Sequence, residues 1–332
     1  MPPSFLASPP DILSKALSLA EIASPLSRPS TGAAGVPFLI AGIAVFSVQD
    51  LILKLLSGSY PLYEAMILRS LTAAPLLLAL AHLNGGLGTL WTPGWRKMLL
   101  RGFLLFGSYA AFYLAIASLP LATTISLFFT APLFITILSG PLLGEKVGPR
   151  RWFAVLVGFA GVLFMVRPGS DVFDWAAMLA LVAGLSYAVS MVTARKMGST
   201  ETAPALAFWG NVAFLACALS LAAVFASGHY AGETHPSLGF LTRGWVTPSF
   251  RDLGLMMLCG VIAAAGLTLL TQAYRLSPSS VVAPFEYTAM FWGVLWGWLF
   301  WRQIPDAEGW TGIVIIVGAG LYVLYREGRQ KG

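Results

Sequence analysis

Charge is what this chain of 332 residues has least of: Asp, Glu, Lys and Arg make up 10% of it, against an ordinary globular share of about 25%. So few charged side chains cannot cover a water-facing surface, and a soluble enzyme is excluded. Cysteine is limited to Cys217 and Cys259, both inside apolar runs, which excludes a disulfide framework and a thiolate metal site. Histidine is nearly as scarce: His82 lies near the end of an apolar run, and His229 and His235 lie in or beside a long loop. All three read as surface positions, so neither a metal nor another cofactor is expected. No Gly-Lys dipeptide occurs anywhere, which removes a Walker loop and a built-in ATPase. The net charge of +6 would point to nucleic acid only if the cations shared a face, but they stand singly or in small groups between apolar runs, so no nucleic-acid partner is expected. An enzyme acting inside a membrane would need a Ser/His or paired-Asp arrangement at depth, and here no histidine is mid-run and the deepest carboxyl stands alone.

What is present is apolar length. Hydrophobic residues make up 57% of the chain, the mean hydropathy is +0.78, and 34 Gly with 21 Pro suit helices in lipid. The chain is expected to be an all-α integral membrane protein whose main partner is the lipid bilayer. A spanning helix needs about 20 apolar residues. Ten such runs are expected, roughly at 35–57, 62–83, 98–118, 120–143, 151–167, 174–195, 203–228, 252–275, 279–301 and 309–326. Leu119-Pro120 joins the third to the fourth so closely that one kinked helix is a rival reading. Residues 1–34 read as a polar tail with a brief amphipathic stretch around Ile12 to Leu19, and residues 327–332 as a C-terminal tail.

Orientation follows from Lys and Arg, which concentrate in cytoplasmic loops. With the N-terminus inside, fourteen fall in inner segments and five in outer ones, so both termini are expected to face the cytoplasm. Arg101 counts among the inner fourteen, and Arg69 is read as the single deep cation.

The chain also matches itself. At an offset of 157, residues 119–167 align without a gap on 276–324, pairing Phe128 with Phe285, Phe134 with Phe291, Gly140 with Gly297 and Gly161 with Gly318. Two five-helix halves, 35–167 and 174–326, are expected. Five is odd, so the second half enters the membrane upside down, giving an inverted-topology repeat. Two similar inverted halves can open a central site first to one side and then to the other. They can form a complete transport unit in one chain.

The ten runs, the two halves, the Leu143-Gly144-Glu145-Lys146 turn followed by Gly158 and Gly161, and Pro132-Leu133-Phe134 before it resemble the drug/metabolite transporter superfamily, in particular its EamA-type permeases. The second copy departs from the pattern with Trp301-Arg302-Gln303. The resemblance implies a multi-pass exporter of small metabolites in a bacterial inner membrane, with amino acids, including aromatic or apolar ones, as the leading substrate class. Alternatives are a multidrug or other metabolite exporter and, less favoured, a channel.

Ionisable groups at membrane depth cost about 2.5–3.5 kcal/mol on insertion scales, so each should face a partner or water. Glu286, about eight residues into the ninth run, either lines the central cavity or hydrogen-bonds to a neighbouring helix. Asp50, Lys54, Glu64 and Arg69 lie toward the outer ends of the first two runs, and the spacing of four puts Asp50 and Lys54 on one face. They read as an outer ion-pair network or a gate. Tyr109, Tyr113, Thr123, Phe128, Thr130, Gln272, Tyr274, Tyr287 and Trp292 fall on the third, fourth, eighth and ninth runs, which in the family surround the cavity. They are candidates for an aromatic and amide lining or for plain helix packing. Pro132 and Pro284 are candidate hinges, since each lacks an N–H.

Overall fold

The computed structural model describes residues 34–83, 85–144, 148–170, 173–197, 203–277 and 283–330. Side chains are described there except at 151, 194–197, 203–204, 274–275, 283, 324 and 326–330. The expected N-terminal tail and residues 279–282 of the ninth run lie outside the described residues.

Among the described residues the chain is helical, with no strand. The helices are α1 (Val36–Leu56), α2 (Leu62–Leu83), α3 (Trp95–Ser118), α4 (Leu121–Phe128), α5 (Ala131–Leu143), α6 (Pro149–Val166), α7 (Ala176–Met197), α8 (Ala203–Phe225), α9 (Pro236–Thr242), α10 (Phe250–Leu276), α11 (Thr288–Trp301) and α12 (Ala307–Gln330). One-turn 3-10 segments precede α3 (Leu87–Leu90) and α11 (Ala283–Tyr287). Among the described residues seven stretches are long and apolar enough to cross a membrane: α1, α2, α3, the α4–α5 pair, α7, α8 and α10. Trp152–Val166 and Ala307–Val323 are shorter apolar helices. This is a multi-pass membrane protein.

Local chemistry sets the breaks. Leu119 is extended (φ −88°, ψ 157°) because Pro120 follows it, so α3 and α4 are separate helices and not one kinked one. The run at 120–143 is itself divided, with Thr130 as the N-cap of α5. Pro132 therefore opens α5, where its missing N–H costs nothing, and Pro284 sits in a 3-10 turn. Neither candidate hinge bends a helix interior. The α12 helix continues through Gln330, so the segment expected as a tail from 327 is helical as far as it is described.

The principal packing pairs are α3 with α7, α1 with α10, α3 with α8, α2 with α10, α2 with α8 and α6 with α12. Glycine permits two of these approaches: a Cβ on Gly102 would lie 2.6 Å from the Ala213 Cβ, and one on Gly260 would lie 2.5 Å from the Arg69 carbonyl oxygen. The largest buried cluster, with Tyr63, Met66, Tyr113, Ile116 and Met256, fills the end of the bundle where α1 finishes and α2 begins. The 229–250 segment straps that end. Phe240 is fully buried, Arg243 donates to the carbonyls of Ser57 and Tyr60 (3.0 Å each), and Tyr63 donates to the Arg243 carbonyl (2.9 Å).

Candidate functional site

The opposite half of the bundle, nearer the described chain termini, holds a cavity of about 290 Å³ enclosed by α2, α3, α8 and α10, with Phe46 of α1. Arg69 projects into it from α2, Arg101 and Tyr109 from α3, Asn211 and Phe214 from α8, and Thr271 from α10. The Arg69 guanidinium lies 5.3 Å from the Phe214 ring centroid and 5.8 Å from that of Tyr109. Such contacts are worth about 0.5–2 kcal/mol, well short of what a buried cation loses in hydration. Its Nε donates to Gln49 Oε1 at 3.2 Å, and no carboxylate pairs with it among the described residues. Arg101 is less complete still, since its Nε is buried with no hydrogen-bond partner among the described residues. The cavity thus sets two guanidiniums beside aromatic walls, positive charge next to apolar surface.

Behind Arg69 the polar chain continues. Gln49 Nε2 donates to the Tyr113 hydroxyl at 2.6 Å, and that hydroxyl donates to Asp50 Oδ1 at 3.1 Å. Tyr109 packs its ring 5.7 Å from that of Tyr113. Thus Asp50 and Arg69 do belong to one network, through Gln49 and Tyr113.

The other two members of the expected outer quartet have different partners. Lys54 is buried and donates to the carbonyls of Ile116 (2.7 Å) and Leu119 (2.5 Å) at the C-terminus of α3, with the Trp301 ring 5.2 Å away. It neutralises the negative end of that helix and makes no ion pair with Asp50, despite the shared face. Glu64 accepts from the Val246 N–H at 3.2 Å, anchoring the strap.

The remaining candidates scatter. Thr123 lines a second cavity. Phe128 packs between Phe112 (5.5 Å) and Tyr187 (5.4 Å). Thr130 is buried, its hydroxyl donating to the Leu127 carbonyl at 2.6 Å. Gln272 is half-buried beside the cavity residue Thr271. The Tyr274 side chain lies outside the described residues. Glu286 and Tyr287 occupy the 3-10 turn before α11, with the Tyr287 ring 4.6 Å from Phe129. Trp292 stacks on Trp296 at 5.9 Å. Asn211 is a weaker candidate from the sequence, whereas Arg101, Gln49, Phe214 and Tyr187 were not anticipated. Tyr187 lies within electrostatic reach of Glu286, Tyr109 and Arg101. Among the described residues no three His, Cys, Asp or Glu side chains converge as a metal site requires.

The second cavity, about 310 Å³, lies at the strapped end between the start of α4, the ends of α6 and α11 and the start of α12. Arg167, left-handed at φ 46° at the end of α6, reaches Asp306 (2.5 Å) and Glu308 (2.6 Å). The hydrogen bond from Arg167, with the Gly309 N–H, holds the Asp306 carboxyl below its usual range. On the same rim Asp174 accepts from Ser118, from the Ala176 N–H (2.7 Å) and from His235 (3.1 Å). Burial pushes its carboxyl up, but these hydrogen bonds outweigh burial and hold it down. His235, expected at the surface, is instead tied into this rim, its ring 4.4 Å from that of Trp175.

Known proteins match this chain over most of its length. A riboflavin transporter of Rhizobium johnstonii is 29% identical over 67% of this chain and 67% of its own. A pseudopaline exporter of Pseudomonas aeruginosa is 28% identical over 86% of this chain and 94% of its own. An S-adenosylmethionine uptake transporter of Rickettsia bellii is 24% identical over 88% and 94%. A solved crystal structure superposes with a TM-score of 0.60 at 18% identity, covering 90% of this chain and 98% of that one, which supports the fold alone. The EamA-like transporter family matches twice, over residues 33–167 and again over 174–326. With both segments matched, the chain belongs to the EamA-like transporter family, and it is a membrane metabolite transporter.

Proposed function

We propose that the chain exports small metabolites, amino acids first among them, from the bacterial cytoplasm across the inner membrane, by alternating access between two inverted five-helix halves. The observation that carries this reading is the cavity of about 290 Å³, to which one half contributes Arg69, Arg101 and Tyr109 and the other Asn211, Phe214 and Thr271. A zwitterion fits its electrostatics, with the carboxylate at the arginines and the amine toward Glu286, beyond Tyr187.

Several equivalences support the inverted halves. Exchanging each helix with its counterpart turns the α3–α7 contact into α10–α1 and α3–α8 into α10–α2, while α2–α8 and α6–α12 map onto themselves. The fourth run of each half breaks at the same register: Thr130 (φ −69°, ψ −12°) caps α5 and Tyr287 (φ −63°, ψ −10°) caps α11, and 287 − 130 = 157, the offset of the sequence match. Gly102 and Gly260 admit the equivalent close approaches. Ten spans follow if the two shorter apolar helices and the 283–301 segment each cross.

Export is supported by where the cavity lies. It occupies the half toward the described chain termini, while the other half is filled by the largest buried cluster and strapped by 229–250. With the termini in the cytoplasm, as the Lys and Arg distribution indicates, this conformation loads from the cytoplasm. The test is counterflow in proteoliposomes with a panel of radiolabelled amino acids. Saturable counterflow that Glu286→Gln or Arg101→Ala weakens is expected. Flux linear in concentration would instead identify a channel, and periplasmic labelling of a tag at residue 332 would overturn the orientation.

A further inference from the structure

The side chains from Arg69 to Asp50 form a hydrogen-bonded chain whose donors all point one way. Arg69 Nε donates to Gln49 Oε1 (3.2 Å), Gln49 Nε2 donates to Tyr113 Oη (2.6 Å), and Tyr113 Oη donates to Asp50 Oδ1 (3.1 Å). The chain begins at a cation on the cavity wall and ends at a carboxylate outside it. A guanidinium has five N–H donors, and the bond to Gln49 is the sole hydrogen bond Arg69 makes among the described residues. Gln49 is buried at 1% exposure, so its amide has little besides Arg69 and Tyr113 to satisfy it. Head-to-tail dipoles of this kind reinforce one another and act as an extended salt bridge between groups that do not touch.

Such a chain has two polarities. A carboxylate can only accept, whereas a carboxylic acid can donate. One proton added to Asp50 turns its O–H toward the Tyr113 oxygen. The Tyr113 O–H then turns to Gln49, whose amide rotates to present its oxygen and so aims its NH₂ at Arg69, which loses its acceptor. A single proton is gained and no other bond to hydrogen is made or broken. Arg69 is left with a full positive charge, all its donors free, and no carboxylate balancing it through the relay.

We propose that Asp50 is a proton-binding site linked through Tyr113 and Gln49 to an anion site at Arg69, so that a proton and a substrate carboxylate bind together. The ligand class is an organic monocarboxylate with a flat or apolar body, which Tyr109 and Phe214 would flank. The charged and titratable groups facing Asp50 are Tyr113 and Tyr109 of α3, Arg69 of α2 and Cys259 of α10, with Lys54 one turn along α1 and held by the α3 carbonyls. Linkage is reciprocal, so anion binding draws a proton from solution, and flow follows the sum of the two gradients. A high internal concentration of the substrate then carries proton and carboxylate out together.

The proposal rests on the cavity being the transport site, and the test separates the two claims. The probe is benzoate, a monoanion between about pH 6 and pH 9. Its binding to the purified full chain is followed by calorimetry, and proton uptake by a dye in weak buffer. In the wild type, benzoate binding should weaken by up to about tenfold per pH unit on the alkaline side, with close to one proton taken up per ligand. Asp50→Asn, which mimics the protonated state, should bind benzoate with the acid-side affinity at every pH and take up no proton. Gln49→Met and Tyr113→Phe should each keep an anion site but flatten its pH dependence, and agreement between them guards against a variant that misfolds. Arg69→Gln should bind weakly throughout. A pH dependence and proton uptake that survive Asp50→Asn, Gln49→Met and Tyr113→Phe overturn the relay and leave the cavity reading standing. Benzoate binding that is undiminished in Arg69→Gln, or absent from the wild type at every pH, overturns the anion site itself.

Discussion

Both cavities carry arginine on their walls, and the chain treats the arginines of one oppositely to that of the other. In the cavity of about 310 Å³, Arg167 is met by both Asp306 and Glu308, so its charge is balanced by the chain itself and little remains for a ligand. In the cavity of about 290 Å³, among the described residues, Arg69 has one side-chain hydrogen bond, to an amide, and aromatic rings around it, and Arg101 has a buried Nε without a hydrogen-bond partner. The first arrangement clasps two ends of the fold. The second keeps positive charge in a low-dielectric space with no paired carboxylate among the described residues, an arrangement that costs stability. Among the described residues Arg167 Nε also lacks a well-directed hydrogen bond although it lies 2.6 Å from Glu308, so the neighbouring carboxylates, more than hydrogen-bond satisfaction, separate the two sites.

The sharpest way to break this contrast is to remove the arginines one at a time. A hydrogen bond to a charged group is worth about 1.5–3 kcal/mol, which corresponds to roughly 10- to 150-fold in affinity. Arg101→Ala and Arg69→Gln should therefore each raise the KM for a carboxylate substrate by about one to two orders of magnitude in proteoliposome counterflow. Arg167→Ala should leave KM within about twofold, since that side chain is already neutralised by the protein. Equal effects at all three positions would erase the distinction.

Lys54 tests the strapped half without touching the cavity. Its ammonium is what the carbonyls of Ile116 and Leu119 have at the buried end of α3. Lys54→Met preserves most of the stem but leaves two acceptors unmet, at a cost of about 1–3 kcal/mol each. A clear fall in the detergent melting temperature is expected, with KM unchanged in the protein that remains folded.

Much of the scaffold was legible in the sequence and much of the site was not, for one physical reason. Apolar runs of about 20 residues announce spanning helices by length, and Leu119-Pro120 announces a boundary by backbone sterics. Neither signal says which face of a helix turns inward. In a soluble helix polar residues mark the outer face, but these helices are apolar on both sides, so periodicity carries little information. Arg101 was therefore counted as a loop cation, being close to Arg96 and Lys97, although it lies more than a turn inside α3 and faces the cavity. The spacing of Asp50 and Lys54 speaks to a shared face and not to partners, since those of Lys54 lie 62 and 65 residues further along the chain. The break near Phe129 falls inside a run whose length and hydropathy announce one span, and that its aligned counterpart at Glu286-Tyr287 is broken too shows only once backbone angles are compared.

Gly102 and Gly260 sharpen the comparison of the two halves. If the halves are equivalent, an added methyl should cost both alike: on Gly102 it meets Ala213 at 2.6 Å, and on Gly260 it meets the Arg69 carbonyl at 2.5 Å. Overpacking of this kind costs about 1–3 kcal/mol. Gly102→Ala and Gly260→Ala should therefore lower the melting temperature by similar amounts. A large loss at one position and none at the other would show that only one helix crossing is tight.

The smallest expected effect belongs to the clasp at Arg167. Asp306 and Glu308 are more than half exposed, and exposed ion pairs contribute little because water and salt screen them. The sign is nevertheless defined. The Asp306 carboxyl is held below its ordinary value by Arg167, so whatever stability it adds is present above the unfolded-state value of about 3.9 and is lost as pH falls through the folded one. Asp306→Asn should leave the neutral-pH melting temperature nearly unchanged and make its decline in acid slightly shallower. High salt should shrink even that difference. A neutral-pH loss as large as that of Lys54→Met would mean that the rim at Arg167 holds the halves together, and that the two arginine environments differ in exposure more than in role.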